Sequence, residues 1–348
     1  MHIVVLGAGA LGGLFGGYLA RAGQRVTLIG RQNSHMQAVQ NQGLKITGVR
    51  GEHVVSENLA VVLNPNELRS ADVLIVAVKA NDTSKALESV SHLVGHVPTI
   101  LSLQNTLVKD ELLVASFGKD ATMGASTIEG ATIVAPGHIH NTITVPTTLY
   151  LGEHSGAPSS RLTALADAFN GAGLGTKAVA CIKQVQWEKL AQICLTNAFS
   201  VPMLAGLPRA SLQDAQAVRE GAEHYAELAS ELLTIYGGLG YSPEDFFAPL
   251  SRFKELVGLD SQATVELLLD RAVARLRSAK AGPPVRSSLF GDLERGRKTE
   301  VVQIFTPFLD EAKKQGVNAA ALRAAYRNIR VIESLAVREG GLNHRSLQ

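Results

Sequence analysis

The feature that most constrains this chain is a glycine-rich turn close to its N-terminus. His2–Leu6 is a short apolar run typical of a buried strand, and Gly7-Ala8-Gly9-Ala10-Leu11-Gly12 follows it directly, ahead of a helix-like apolar run to Ala22. A second apolar strand, Arg25–Ile29, completes a β-α-β unit. In such a unit the first glycine permits the tight turn, the second lets a pyrophosphate approach the backbone, and the third lets the helix pack on the strand. The pattern predicts dinucleotide binding, with a merely tight turn as the alternative.

The residues after the second strand indicate which dinucleotide is bound. An NAD-preferring site places Asp or Glu about twenty residues after the glycines, where the carboxylate accepts from the ribose 2′-hydroxyl. Here the strand is followed by Gly30-Arg31-Gln32-Asn33-Ser34, and no carboxylate occurs before Glu52. Arg31 could instead contact a 2′-phosphate, although a solvated surface arginine is the alternative. The sequence therefore predicts NADP(H) as the cofactor.

Length and composition set further limits. A chain of 348 residues suits two domains, and a formal net charge of +2 gives no electrostatic footprint for nucleic acid. Cys181 and Cys194 form no disulfide framework and have no metal-ligand spacing. Residues 3–20 carry no charge, but their glycines and the lack of a basic leader argue against a signal or membrane segment. We expect a cytoplasmic protein that binds neither nucleic acid nor membrane; the oligomeric state stays open, a homodimer included.

The order of predicted elements indicates an α/β Rossmann-type N-terminal domain followed by an all-α C-terminal domain. Strands and helices alternate up to about Ala180, which predicts a mostly parallel sheet in residues 1–180 and a helical substrate domain in residues 181–348. Alternation between Thr132 and Leu151 predicts an antiparallel hairpin or meander around Pro136-Gly137. A cleft between two such domains is where enzymes usually bind substrate. The predicted helices are Gln184–Leu204, Leu212–Tyr236, Pro243–Val257, Ser261–Lys280, Thr299–Gln315 and Ala319–Val337.

Two polar residues follow predicted strands of the N-terminal domain. Lys79 comes after Val73–Val78, and Asn105 comes shortly after Thr99–Leu103. Ligands of open parallel sheets bind outside the carboxyl ends of the strands, so both side chains could reach a bound cofactor or substrate. The alternatives are a solvated strand end for Lys79 and a turn-capping side chain for Asn105.

The long helix predicted to begin the second domain carries a lysine on its apolar stripe. Lys189, Ile193 and Asn197 are spaced by four and share one face. A lysine there is costly unless it is paired or functional, and it could protonate an alkoxide as a carbonyl is reduced. Extension of the ammonium to the surface is the alternative. Glu300, near a later helix start, could simply favour the helix dipole.

Together these residues resemble the ketopantoate reductase (2-dehydropantoate 2-reductase) family over nearly the whole chain. The resemblance is carried by the glycine turn with Arg31 and by the motifs Val76-Ala77-Val78-Lys79, Leu103-Gln104-Asn105, Pro136-Gly137-His138-Ile139, Trp187-Glu188-Lys189-Leu190 and Ser288…Asp292…Thr299-Glu300. It implies a 6-phosphogluconate-dehydrogenase-like fold and hydride transfer from NADPH to the C2 carbonyl of a 2-oxo acid. No metal is implied, and none is predicted, since His138 and His140 alternate on one strand without an evident third ligand.

The resemblance also implies roles for individual residues. Lys189 would polarise the carbonyl and act as general acid, while Glu300 would hold the far hydroxyl of the substrate and Ser288 its carboxylate. Asn105 and Lys79 would line the nicotinamide side, and Asn197 would add a polar contact to the substrate.

Several positions depart from the family pattern on the substrate side. Thr106-Leu107-Val108 replaces the usual Gly-x-Gly, Ile193 replaces a common Asn, and Ile304-Phe305-Thr306 replaces Ile-Asn-Gly. Ile193 is therefore predicted to line a more apolar substrate pocket. Three hypotheses follow: a ketopantoate reductase proper, a relative acting on another 2-oxo acid, hydroxy acid or imine, and a non-catalytic NADP(H)-binding regulator.

Overall fold

The computed structural model describes residues 1–207, 209–278 and 286–342. These residues divide into two compact units. The first contains Met1–Lys189 and Phe246–Leu250, and the second contains Leu190–Asp245 and the described residues from Ser251 onward. The first unit is α/β with a parallel sheet and the second is helical, which confirms the predicted fold class.

The strands all lie in the first unit among the described residues. In chain order they are β1 His2–Leu6, β2 Arg25–Ile29, β3 Leu44–Gly48, β4 His53–Val55, β5 Leu59–Val62, β6 Val73–Val76, β7 Thr99–Ser102, β8 Gly124–Thr127, β9 Gly130–Ala135, β10 His138–Ile143, β11 Leu149–Gly152 and β12 Thr176–Ala178.

The helices continue through both units. They are α1 Ala10–Arg21, α2 Ser34–Gln42, α3 Thr83–Glu88, α4 Lys109–Phe117, α5 Ser160–Gly171, α6 Ile182–Leu204, α7 Leu212–Gln216, α8 Arg219–Gly238, α9 Ser261–Ser278, α10 Ser288–Glu294, α11 Val301–Gln315 and α12 Ala320–Glu339. Lys280, the predicted end of α9, lies outside the described residues.

The main sheet of the first unit has the order β5-β2-β1-β6-β7, and every neighbouring pair is parallel. The central strand β1 is buried on both faces. Ile3 and Val5 belong to one apolar cluster, whereas Val4 and Leu6 belong to another. Burial on both faces explains why this strand reads as a continuous apolar run rather than as an alternating one.

Two smaller sheets complete the first unit. One has the order β4-β3-β10-β9 and contains the predicted antiparallel hairpin, which turns at Pro136-Gly137 with Gly137 at φ +71°. The other has the order β12-β11-β8. His138 Nε2 and His140 Nδ1 both lie within hydrogen-bond distance of Thr47 Oγ1, at 2.9 and 3.0 Å, so the two imidazoles lie on one face of β10, as their alternation predicts.

An ion pair between half-buried Arg50 and buried Glu129 links the hairpin sheet to α1. Arg50 pairs with the Glu129 carboxylate through both terminal nitrogens, and its guanidinium lies 5.5 Å from the centre of the Tyr18 ring. Thr144 and Thr148 donate to the same carboxylate over 2.7 and 2.5 Å. Burial alone would raise the pKa of Glu129, but these donors and the guanidinium lower it below its ordinary value.

The second unit is built around α8, which packs against α7, α9, α11 and α12. Ala222, Ala226, Val265 and Leu268 form the apolar seam between α8 and α9. The Glu231 carboxylate accepts from the backbone N–H groups of Ala321 and Leu322, at 2.9 and 2.8 Å. A carboxylate on α8 therefore satisfies the first turn of α12, where the helix dipole favours negative charge.

Two of the predicted helices are wrong. Residues 243–257 form a loop with a short 3₁₀ turn at Lys254–Leu256, because Pro249 removes a backbone donor and restricts the residue before it. Asp245, at φ +53°, accepts from the backbone of Phe253 over 2.6 Å and stabilises that loop.

The predicted helix Leu212–Tyr236 is instead two helices, α7 and α8. The chain turns at Val218, which has an extended backbone, and the two helices approach closely at Gly221. A Cβ atom on Gly221 would lie 1.8 Å from the Ala215 carbonyl oxygen, so the turn requires glycine.

Candidate functional site

The glycine turn is packed too tightly for side chains at its two ends. Gly7 has φ +102°, and a Cβ atom there would lie 2.7 Å from the Val78 nitrogen. A Cβ atom on Gly12 would lie 2.2 Å from the Gly7 carbonyl oxygen. Both glycines are therefore required by the protein's own packing, the first for the turn and the second for the approach of α1 to β1.

Gly9, at the middle of the turn, is different. It is exposed, and a Cβ atom there would meet no atom within 4 Å, so packing does not require glycine. Gly9 is the N-cap of α1 without a side-chain capping bond, and the first helical turn contains no acidic residue. Ala8 is buried, while Ala10 and Leu11 are half-buried at the helix start. The turn thus offers open space and a positive helix end, an arrangement that fits a phosphate group.

The end of β2 carries an exposed cation. Arg31 lies two residues beyond the strand and is exposed, and Asn33 caps α2 by accepting from the Met36 nitrogen over 2.9 Å. The nearest carboxylate in sequence, Glu52, lies beyond β3 and forms an ion pair with Lys45 of that strand. The charge available at the end of β2 is therefore positive.

Gln104 fixes the ends of β6 and β7 to each other. Its amide nitrogen donates to the Val78 carbonyl over 2.8 Å and lies 2.7 Å from Thr83 Oγ1. Its amide oxygen accepts from Ser102 over 2.9 Å. Lys79 follows Val78 and is exposed, so Gln104 fixes the backbone beside both Lys79 and Asn105. No role for Gln104 beyond its place in a motif could be predicted from the sequence.

The first unit also brings Lys189 to Asn105. The Lys189 ammonium donates to Asn105 Oδ1 over 2.5 Å, although the two residues are 84 positions apart. Only 6% of the Lys189 surface is exposed, so its side chain does not extend to solvent. A buried cation held beside the end of a parallel strand can stabilise a developing negative charge or donate a proton.

In the second unit, Asn197 contacts a serine that sequence reasoning missed. Asn197 is buried; its amide nitrogen donates to the Ile193 carbonyl and its amide oxygen accepts from Ser287, both over 2.7 Å. Ser287 is the N-cap of α10, and the predicted Ser288 is the next residue, exposed on the first helical turn. Two adjacent serines before a helix are the available signal, but sequence alone does not say which one turns inward.

Glu300 stands directly before α11 as its N-cap and is half-buried. Its backbone is fixed from the preceding residue, because the Thr299 nitrogen and hydroxyl both donate to Glu333 Oε1 over 2.6 Å. Ile193 is half-buried on α6, four residues after Lys189. Glu300, Ile193 and Ser288 keep their roles as predictions.

Within residues 1–207, 209–278 and 286–342, no group of three or more His, Cys, Asp or Glu side chains is placed to hold a metal ion. None of the helices described is both long enough and apolar enough to cross a membrane.

Two family models match most of the chain. One, described as ketopantoate reductase PanE/ApbA, matches residues 3–156, and the other, the C-terminal model of the same family, matches residues 181–333. A 2-dehydropantoate 2-reductase from Halobacterium salinarum is 32% identical over 190 residues, which cover 55% of this chain and 61% of the relative. One from Pyrococcus abyssi is 36% identical over 192 residues, which cover 54% and 60%. The chain spans less than two thirds of each of these relatives.

Solved structures extend the similarity to nearly the full length. The 2-dehydropantoate 2-reductase of Geobacter metallireducens is similar with a TM-score of 0.77 at 23% identity, over 95% of this chain and 99% of that one. D-mandelate dehydrogenase, solved with NADH and anilino(oxo)acetate, has a TM-score of 0.73 at 19% identity, over 97% and 99%. At these identities the likeness shows a common fold.

We expect Gly12 and Gly9 of the glycine turn to respond differently to substitution by alanine. Gly12→Ala should lower the free energy of unfolding by about 1–3 kcal/mol, because the new methyl group overpacks the turn. Gly9→Ala should lower the free energy of unfolding by at most about 1 kcal/mol, since alanine is a poorer N-cap than glycine, but weaken binding of a nicotinamide dinucleotide by roughly tenfold or more, about 1.4 kcal/mol. Thermal unfolding and fluorescence titration measure the two effects. Undiminished binding by folded Gly9→Ala would show that the turn holds no pyrophosphate.

Proposed function

We propose that this chain, which belongs to the ketopantoate reductase PanE/ApbA family, is an NADPH-dependent reductase of a small 2-oxo acid. The observation that carries the proposal is the hydrogen bond from buried Lys189 to Asn105, in the same unit as the open glycine turn. A regulator that only bound the dinucleotide would gain nothing from burying a lysine, which is costly.

The cofactor part of the proposal assigns three groups of residues. The turn from Gly7 to Gly12 would hold the pyrophosphate, Arg31 the 2′-phosphate, and Lys79 with Asn105 the nicotinamide side. When bound, the reduced nicotinamide supplies a hydride. Thr106 Oγ1, next to Asn105, is buried without a hydrogen-bond partner among the described residues. A bound ligand would satisfy such a hydroxyl.

The chemical part assigns the proton to Lys189. As the C2 carbonyl carbon accepts the hydride and its π bond breaks, the oxygen becomes an alkoxide. The Lys189 ammonium then donates a proton to that oxygen, which gives the hydroxyl and leaves a neutral amine to be reprotonated from solvent. Asn105 accepts from Lys189 and so holds Nζ in one place, which avoids reorganisation when the negative charge develops.

The substrate part rests on the second unit and on the relatives. Relatives named 2-dehydropantoate 2-reductase favour ketopantoate or a close analogue as the substrate. In this proposal Ser288 would hold the substrate's carboxylate and Glu300 its far hydroxyl. Asn197 already uses one N–H and one lone pair of its amide within the protein, which leaves one of each for a substrate. Because Ile193 offers no polar side chain, a 2-oxo acid with a bulkier or less hydroxylated side chain is the second candidate.

The cofactor assignment predicts a strong preference for NADPH over NADH. Arg31→Ala should weaken NADPH binding by roughly 10- to 100-fold through loss of a charge-assisted contact, and leave NADH binding nearly unchanged. Arg25→Ala is the matched control, since Arg25 is exposed at the opposite end of β2. Dissociation constants for both cofactors provide the measurement. Equal affinities in the unmutated protein would rule out the assignment.

The chemical assignment is tested by offering a panel of 2-oxo acids with NADPH and following the nicotinamide absorbance. Lys189→Met should leave NADPH binding nearly intact and lower turnover by roughly 10²–10⁴, the usual cost of a lost general acid. Lys183→Met, on the first turn of the same helix, should retain turnover. No reduction of any 2-oxo acid by the unmutated protein would sink the proposed function, and normal turnover in Lys189→Met would sink the role of Lys189.

The specificity assignment concerns Ile193. A pocket that lacks a hydrogen-bonding partner for a substrate hydroxyl discriminates poorly in its favour. We therefore expect a lower kcat/KM for ketopantoate than for a less hydroxylated 2-oxo acid, and Ile193→Asn should shift the ratio toward ketopantoate. The ratio of the two kcat/KM values is the measurement. Efficient ketopantoate reduction that Ile193→Asn does not improve would favour a ketopantoate reductase proper.

A further inference from the structure

We propose that Lys109 and Asp110, the first two residues of α4, are positioning residues that hold the two partners of the Lys189–Asn105 hydrogen bond. The inference rests on the proposed function, because it gives these residues a part in catalysis. Neither residue is needed to bind the dinucleotide or the substrate in that proposal. Both are 2% exposed, and all their contacts below lie within the first unit.

Lys109 holds the Asn105 side of the pair. Its ammonium donates to the Gln104 carbonyl over 3.0 Å and to the Ala125 carbonyl over 2.6 Å. Gln104 immediately precedes Asn105, so this bond ties the loop that carries Asn105 to strand β8. Burial lowers the pKa of Lys109 to about 8, against the opposing effect of Asp110. An apolar residue would fill this space at a lower cost, which indicates that the two bonds are the reason for the lysine.

Asp110 holds the Lys189 side of the pair. Asp110 Oδ2 accepts from the Gln186 amide nitrogen over 2.8 Å, and the same nitrogen lies 3.3 Å from the Ala125 carbonyl. Gln186 lies on α6, three residues before Lys189, so the two side chains occupy neighbouring turns of one helical face. The carboxylate therefore fixes the part of α6 that carries Lys189.

The two halves meet at one atom. The Ala125 carbonyl oxygen accepts from both Lys109 and Gln186. The loop that carries Asn105 and the helix that carries Lys189 are therefore both held to the same residue of β8. Two further groups face Asp110: His154 Nε2 at 3.5 Å and Lys183 Nζ at 3.7 Å. The Lys183 side chain is about two fifths exposed and approaches Asp110 only to ion-pair distance. It therefore adds positive charge beside the carboxylate without holding the Asn105 loop or α6 in place.

The principal test compares three variants. Lys109→Met and Gln186→Met each remove one half of the arrangement, while Lys183→Met removes a positive charge beside the same carboxylate. We expect the first two to lower kcat by roughly 10- to 100-fold, as small misplacements of catalytic groups do, with the dissociation constant for NADPH changed by less than about twofold. Lys183→Met should keep kcat. A lower melting temperature with unchanged kcat in Lys109→Met and Gln186→Met would overturn the proposal, as would an equal loss in Lys183→Met.

A double-mutant cycle separates positioning from general weakening. If Lys109 acts through Asn105, then Lys109→Met should cause little further loss of kcat in an Asn105→Ala background. Additive losses contradict the proposal. If Lys109→Met does not fold, Gln186→Met carries the corresponding comparison in a Lys189→Met background, where it should cause little further loss of kcat.

A structural readout separates this inference from the proposed function. In crystal structures, the Lys189 Nζ to Asn105 Oδ1 distance should lengthen beyond hydrogen-bond range, about 3.5 Å, in Lys109→Met or Gln186→Met. A bond of unchanged length in these variants overturns the positioning role even if the unmutated protein reduces no 2-oxo acid. Conversely, if the unmutated protein reduces no 2-oxo acid but the bond lengthens in the variants, only the proposed function is refuted.

Discussion

The close approach of Gly12 to the Gly7 carbonyl is the constraint on which the first unit depends. With 2.2 Å between that oxygen and a Cβ placed on Gly12, α1 can lie against β1 only because the side chain is absent. β1 is the central strand of the parallel sheet, with β2 and β6 paired on its two sides. The position of α1 thus places the glycine turn at the carboxyl end of β1, where a Cβ atom on Gly9 would meet no atom within 4 Å. The turn is open at Gly9 because the close backbone contacts are made by Gly7 and Gly12.

At the carboxyl ends of the neighbouring strands, buried polar side chains hold the backbone in place. Gln104 joins the ends of β6 and β7, and Lys109 joins the following loop to β8. Lys189 comes from a distant part of the chain to meet Asn105 on this fixed loop. Buried amides and ammonium groups impose direction as well as distance, which apolar contacts cannot do. The chemistry proposed for Lys189 depends on that directionality.

The elements that could be predicted from the sequence are those with strong local signals. The glycine turn, the continuous apolar strands and the long helix α6 all occur where their patterns place them. The helices predicted at 243–257 and across Val218 fail because a loop held by the Asp245 carboxylate and a close contact at Gly221 override helical spacing. Likewise, the sequence around Lys109 gives no local signal, and the two adjacent serines at 287 and 288 do not show which one turns inward, because the partners of Lys109 and Ser287 lie far along the chain. Sequence periodicity describes which face of an element is apolar, but not which polar group across the fold will meet it.

The ion pair between Arg50 and Glu129 also restricts how this chain can diverge. Loss of the Arg50 charge would leave the buried Glu129 carboxylate without its cation, at a cost of about 3–5 kcal/mol, a large share of the 5–15 kcal/mol that stabilises a typical domain. Replacement of both by apolar residues would also remove the acceptor of the Thr144 and Thr148 hydroxyls, so the double substitution costs stability as well. The two positions lie 79 residues apart in the sequence, yet the residue tolerated at one depends on the residue at the other. The ion pair and its donors therefore form one unit, in which a change at any single position gives a less stable protein.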